Sequence, residues 1–286
     1  MRERVQVFGS QGGLVGVLTE PDPGREREGA PALVVSNVGL NHRPGPNRLY
    51  VDLARSLAAR GFSTLRFDLS GLGDSAPRRD APSDLGRAVL DVSEAMDHLA
   101  HKRGARSFAL MGICSGTDST HTLATTDPRV SAAIFVDGYA YTTPLSTLHH
   151  YTLRNLEPGR WRRFARRFYE QRVARRAQAR EPGEASEVYD RAYPTLEQFR
   201  ADVARMSARG CESLFVYTGA WNYAYLGQFD DMTRGVDLAG RVRVEHFPRA
   251  DHTFTAMNER ARLFDTLGGW LEARFPAREA AARHSG

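Results

Sequence analysis

The stretch Gly112-Ile113-Cys114-Ser115-Gly116 holds the residue types best suited to covalent chemistry. It follows an apolar run, 108–111, and passes into helix-compatible sequence, which is the strand–turn–helix form Gly-x-nucleophile-x-Gly. Such a turn lifts its central side chain off the end of a strand in a strained backbone conformation. Neighbouring chain then passes so close that the residues two positions away on each side must be small. Gly112 and Gly116 meet that demand. Spacing selects the nucleophile. Centring the turn on Ser115 puts β-branched Ile113 and Thr117 at the crowded flanks, so Cys114 is the expected centre. A thiol there can carry an acyl group as a thioester. The bland reading of the same residues is a buried cysteine ahead of a helix-capping serine.

The elements around this turn must hold it at a sheet edge. Residues 5–8 and 14–18 read as an opening hairpin around Gly9-Ser10-Gln11-Gly12-Gly13. Residues 32–36 form a continuous apolar strand of the kind covered on both faces. An amphipathic helix follows over 48–60, then a strand over 63–67 that leads into Asp68-Leu69-Ser70-Gly71-Leu72-Gly73-Asp74-Ser75. A long helix is expected from Ser83, with Leu85, Val89, Val92, Met96 and Leu99 at helical spacing. After the central turn come a helix to about 126 and a strand over 132–136. Strand patterns resume at 214–217 and 242–247, and an amphipathic helix closes the chain over about 257–275. Strands alternating with helices predict an α/β fold, a mainly parallel sheet with helices on both faces.

Composition bounds the rest. At 286 residues and 41% apolar, the chain can bury one large core with room for an insertion. No run of about 18 apolar residues predicts a membrane span. The first residues carry charge without an apolar stretch behind them, so no secretory signal is expected. The two cysteines, Cys114 and Cys211, make no disulfide framework, and a reduced cytoplasmic setting suits a thiol nucleophile. The formal charge of +5 is arginine-borne and matches no zinc or nucleic-acid motif, so neither a cofactor nor a nucleic-acid partner is expected. Between Arg154 and Arg180 there are ten arginines, with Trp161, Phe164 and Phe168 at helical spacing among them. The expected organisation is a first core segment, 1–141, a helical cap insertion, 142–205, and a second core segment, 206–286.

The order of parts (strand, helix, Asp-x-x-Gly-x-Gly-x-Ser turn, cysteine elbow, helical insertion, late histidine) resembles the α/β-hydrolase superfamily over nearly the whole chain. Gly39-Leu40-Asn41-His42-Arg43-Pro44-Gly45-Pro46-Asn47-Arg48 and the cysteine elbow look most like the exosortase-associated and biosynthetic-cluster hydrolases. The resemblance implies a histidine base in the loop after the last strand, where His252 stands. It offers two places for the third member of the triad. One is the turn after the penultimate strand, where Asn222 stands; the other is the end of the strand after the elbow helix, where Asp137 stands. Asp137 is preferred over Asn222, with Asp230 and Asp231 weaker still, and Asp251 is read as structural. The resemblance also implies an oxyanion hole from the Leu40 and Ser115 amides, with Gly39 in the same loop; His42 and Arg43 of that loop either face the substrate or hold the loop by structural hydrogen bonds. Asp68 and Ser75 are read as turn-stabilising residues.

Together these residues predict acyl transfer, by a hydrolase such as a thioesterase or esterase or by an acyltransferase, through a Cys114 thioester with His252 as general base. An arginine-rich cap fits an acyl or peptidyl carrier protein or coenzyme A as the bearer of the acyl group. The alternative is a non-catalytic ligand- or carrier-binding protein on a hydrolase scaffold.

Overall fold

The computed structural model describes residues 1–81, 83–146, 193–219 and 223–277. Eight strands form one sheet in the order β1-β2-β4-β3-β5-β6-β7-β8. Strands β1 (Arg2–Phe8) and β2 (Leu14–Glu20) are the opening hairpin, with Phe8 opposite Leu14. Strand β2 pairs antiparallel with β4 (Thr64–Phe67). From β4 onward the sheet is parallel, through β3 (Ala32–Val35), β5 (Phe108–Ile113), β6 (Val130–Val136), β7 (Glu212–Thr218) and β8 (Val242–Phe247). The fold is the α/β-hydrolase fold expected from the sequence.

Strands β5 and β7 are buried along their whole length, which accounts for the apolar run of β5 and for that at 214–217 in β7. Alternate residues of β5 serve two cores. Phe108 and Leu110 join Val92, Met96 and Phe199 on one face, whereas Ala109, Met111 and Ile113 join Leu53, Leu57, Leu263 and Trp270 on the other. The second group comes from α1 (Leu49–Ala59) and α6 (Met257–Arg274). The first comes largely from α2 (Asp84–Arg103), α3 (Gly116–Thr126) and α4 (Leu196–Ala208); a short helix, α5 (Gln228–Met232), precedes β8.

Helix α2 begins as its sequence predicts, with the Ser83 hydroxyl accepting from the Gly86 amide at 3.0 Å. Asp91 interrupts its buried face. The carboxylate is satisfied by Arg78 Nη1 at 2.7 Å and by the Ser70 amide and hydroxyl at 2.8 and 2.7 Å.

The expected boundary at 205/206 falls inside α4, which runs to Ala208. Phe199, Val203 and Met206 are fully buried in the core, and the Thr195 capping box starts the helix. Helix α4 thus packs with the core although most of it lies within the expected insertion. Arginine-rich sequence continues past the point where the chain rejoins the core, because only one face of α4 is apolar. Most of the expected cap, including Trp161, Phe164, Phe168 and the arginines from Arg154 to Arg180, lies outside the described residues.

Phe199 provides a test of this assignment. Phe199→Ala should destabilise the whole domain by about 3–5 kcal/mol, as removal of a buried core aromatic does. Denaturant unfolding followed by circular dichroism would show a single shifted transition. A negligible shift would return α4 to the insertion.

Candidate active site

The strand order reverses direction at β3. The chain steps from β3 outward to β4 on one side, then returns to place β5 on the other. The carboxyl ends of β3 and β5 therefore mark the switch point, the place where open sheets of this kind form their crevice. Cys114 sits there, directly after β5.

Cys114 has φ of 54°, a left-handed conformation for a residue that is not glycine. Its amide donates to Val136 O at 2.9 Å, and its carbonyl accepts from the Thr117 amide at 3.0 Å. A Cβ on Gly112 would stand 2.1 Å from Gly116 O, and one on Gly116 would stand 2.6 Å from Asn37 O. Both flanking glycines are thus required by close backbone approach. Ser115, by contrast, is already helical, with φ of −62°.

The β8–α6 loop brings His252 over the elbow. Its Nδ1 lies 2.7 Å from Asp137 Oδ2 and its side chain also hydrogen-bonds Cys114, which leaves Nε2 for the sulfur. Asp137 closes β6 and is fully buried. Its carboxylate is fixed from a neighbouring strand: Oδ1 accepts from the Thr218 amide at 2.7 Å, and Oδ2 accepts from the Thr218 hydroxyl at 2.7 Å. An aspartate that merely made a turn before Gly138 would bond its own segment instead.

The His252 imidazole is raised from its ordinary 6.5 to about 9. The hydrogen bond to Asp137 is the largest cause, followed by that to Cys114; burial opposes them, and the charges of Asp137 and Cys114 reinforce them. This ring holds a proton firmly when the sulfur beside it is negative. Cys211 is the opposite case. It is buried in the core, and burial pushes its thiol up to about 12.

The loop after β3 lies against the elbow. Asn41 N donates to Val38 O at 2.9 Å, closing a turn with Gly39 and Leu40 at its centre. Gly39 has φ of 50°, and its amide donates to Ser115 Oγ at 2.9 Å. Leu40 is 82% exposed and His42 is exposed, both at the crevice edge. Arg43 is committed elsewhere. Its amide donates to Asp68 Oδ1 at 2.5 Å, and its guanidinium binds Asp68 and Asp74. Of the two roles open to Arg43, these contacts are the structural one, a strut joining the two loop motifs, because a buried carboxylate at Asp68 demands a cation. Ser75 donates to Asp68 O at 2.6 Å and supports the same turn.

Asn222 lies outside the described residues. Asp231 pairs with Tyr225 and Arg234, away from His252. Asp251 accepts from the amides and hydroxyls of Thr253 and Thr255; against the opposing effect of burial, these bonds hold its carboxyl near 2. Two further residues escape the sequence reading. Thr218 fixes Asp137, and buried Arg260 ties the His252 loop to the β3–α1 segment by donating to Phe254 O at 3.2 Å and Asn47 O at 2.9 Å. The only hint of Arg260 in the sequence is an arginine on an otherwise apolar helix face. Among the described residues, no cluster of three or more His, Cys, Asp or Glu is arranged to hold a metal, and no helix is long and apolar enough to cross a membrane.

A family model described as serine aminopeptidase, S33, matches residues 35–214. The chain belongs to that family. The match runs from β3 into β7 and so contains the elbow and Asp137. Solved structures similar to this S33-family chain share its architecture. The esterase domain of a Rhodothermus marinus protein aligns at 17% identity over 96% of this chain and 98% of its own, with a TM-score of 0.57. An α/β serine hydrolase homologue from Coxiella burnetii aligns at 15% identity over 94% and 97%, with a TM-score of 0.54. An esterase from Pyrococcus furiosus aligns at 12% identity over 96% and 93%, with a TM-score of 0.59. No curated protein matches the chain by sequence.

The site makes two linked expectations. Iodoacetamide at neutral pH should label Cys114 rapidly and Cys211 slowly in the folded protein; equal labelling, read by peptide mass, would contradict the two environments. The His252 proton also couples to stability. Because folding raises the ring from 6.5 to about 9, the contact contributes fully below about pH 6.5 and is lost as pH rises through about 9. In Asp137→Asn the ring should titrate lower, toward 6.5, and this pH-dependence of stability should flatten. NMR of the imidazole protons and denaturant midpoints across pH would show both effects.

Proposed function

We infer that this S33-family chain is an acyl-transfer enzyme that works through a thioester on Cys114. One observation carries the reading: the residue with elbow backbone also shares a hydrogen bond with His252, whose other nitrogen meets a buried carboxylate. A sulfur, an imidazole and an acid in that order are the parts of a nucleophilic triad. Similar structures described as esterases and serine hydrolases support an activated ester or thioester as substrate class.

In the proposed reaction, the Cys114 sulfur gives up its proton to His252 Nε2 and attacks the carbonyl carbon. The carbonyl oxygen takes the negative charge and is held by the Ser115 and Leu40 amides. As the tetrahedral intermediate collapses, the imidazolium protonates the departing alcohol or thiol, leaving the acyl group on Cys114. His252 then takes a proton from the acceptor, which attacks the thioester carbonyl. The second intermediate expels the sulfur, and the imidazolium returns the proton to it. Asp137 stays ionised throughout, holding the ring tautomer and opposing the imidazolium charge.

Water as acceptor makes the enzyme an esterase or thioesterase. An amine makes it an acyltransferase, which thioester chemistry permits. The ten arginines between Arg154 and Arg180 favour an acyl group borne by coenzyme A or a carrier protein, whose phosphates they would pair with. A reduced cytoplasmic setting would keep both thiols free.

Steady-state kinetics on activated acyl esters and thioesters test the reading. Cys114→Ala should lower turnover by roughly 10³-fold or more, and Asp137→Asn by roughly 10²–10⁴-fold with the fold intact. Full activity in Cys114→Ala would remove Cys114 from the mechanism. A parent protein that binds these compounds without turnover would make the chain a binding protein on a hydrolase scaffold.

A further inference from the structure

Ser115 follows the nucleophile and occupies the N-cap position of α3, where a serine ordinarily turns its hydroxyl back onto the helix amides. Here it does not. Its backbone is already helical, with φ of −62° and ψ of −27°, and its side chain makes no capping bond. The hydroxyl oxygen turns to the β3 loop instead and accepts from the Gly39 amide at 2.9 Å. That bond joins two segments 76 positions apart.

The loop receiving this bond is otherwise tied to itself and to its base. Asn41 closes the turn onto Val38 O with both its amide, at 2.9 Å, and Nδ2, at 3.0 Å. Asn37 Nδ2 donates to Asn41 O at 2.6 Å, and Asn37 Oδ1 accepts from the Leu69 amide at 2.7 Å. At the root of the loop, Ser36 Oγ donates to Gly116 O at 3.2 Å. These contacts shape the turn and anchor its stem. The Gly39–Ser115 bond acts at the tip, next to Leu40, where the loop is exposed. In the reading above, Leu40 supplies one of the two amides that must converge on a single oxygen, with Ser115 supplying the other.

We propose that the Ser115 hydroxyl is a positioning residue: it latches the tip of the β3 loop to the elbow and so sets the gap between the Leu40 and Ser115 amides. Oxyanion donors act only when fixed at hydrogen-bond distance from the developing charge, before the charge appears. A loop whose tip is free to drift would bind substrate through its other contacts but meet the oxyanion late. The latch also explains why the serine beside the nucleophile is not a second nucleophile. Its oxygen is occupied as an acceptor, its backbone is helical rather than strained, and His252 bonds its neighbour.

The inference rests on Cys114 as nucleophile, and the experiment separates the two. Single-turnover acylation and steady-state kinetics are measured with a small activated ester for the parent, Ser115→Ala and Ser115→Thr, alongside the rate of Cys114 alkylation by iodoacetamide. Because the hydroxyl makes no cap bond, Ser115→Ala removes the latch without removing a helix cap. The expected result is a loss in kcat of about tenfold to hundredfold with KM within about twofold, smaller than deletion of an oxyanion donor itself. Alkylation, which needs no oxyanion hole, should proceed at the parent rate, and Ser115→Thr should restore most of the turnover by keeping the hydroxyl. Unchanged kcat in Ser115→Ala would overturn the latch, as would equal losses in the alanine and threonine variants. A parent that forms no acyl adduct would overturn both the latch and the reading beneath it.

Discussion

Two backbone crossings organise the carboxyl edge of this sheet. Gly112 passes the Gly116 carbonyl, and Gly116 passes the Asn37 carbonyl, each too closely for a side chain to intervene. The residue between them is held in a left-handed conformation, which turns the Cys114 side chain out of the strand and into the crevice. The same crossings press the β3 loop onto the start of α3, so one steric constraint sets both the sulfur and the amides beside it. The remaining groups arrive from other strands. Asp137 comes from β6, Thr218 from β7 and His252 from the loop after β8, which the parallel register aligns at one edge.

Electrostatics complete what sterics begin. A fully buried carboxylate is costly unless its lone pairs are used, and Asp137 spends them on Thr218 and His252. The imidazolium is thereby favoured, and its remaining nitrogen is turned toward the sulfur. Arg43 performs the corresponding service for buried Asp68 and so joins the β3 loop to the Asp68–Ser75 turn, a link that the Leu69 amide reinforces by donating to Asn37 Oδ1. Buried Arg260 anchors the histidine loop from the opposite side.

Local rules made much of this legible in the sequence. The elbow was readable because its demand for small flanking residues acts within five positions, and His252 was readable because loop order places it after the last strand. The apolar runs of β3, β5, β6 and β7 and the stripe of α6 were equally plain. Contacts set by register across the sheet were not readable. Nothing in residues 212–218 announces that Thr218 will hold Asp137, since that depends on which strands are neighbours. Whether Arg43 faces the substrate or braces the loop was left open, because its partners, Asp68 and Asp74, are distant in sequence. The expected boundary cuts through α4 because that helix shows arginines on one face and buries Phe199, Val203 and Met206 on the other. The Gly39–Ser115 bond was hidden for a further reason: a serine at a helix start predicts a cap, and tertiary structure redirected it.

The family is described by a serine peptidase and one of the similar structures as a serine hydrolase homologue, whereas the elbow here centres on Cys114. The central question is therefore whether sulfur or oxygen bears the acyl group. The most direct measurement is to quench the parent protein in acid during turnover of a slow acyl ester, then map the added mass by peptide sequencing and test its sensitivity to neutral hydroxylamine. A single adduct on Cys114 that neutral hydroxylamine removes is the predicted result. An adduct on Ser115, stable to neutral hydroxylamine as an oxygen ester would be, would contradict the account.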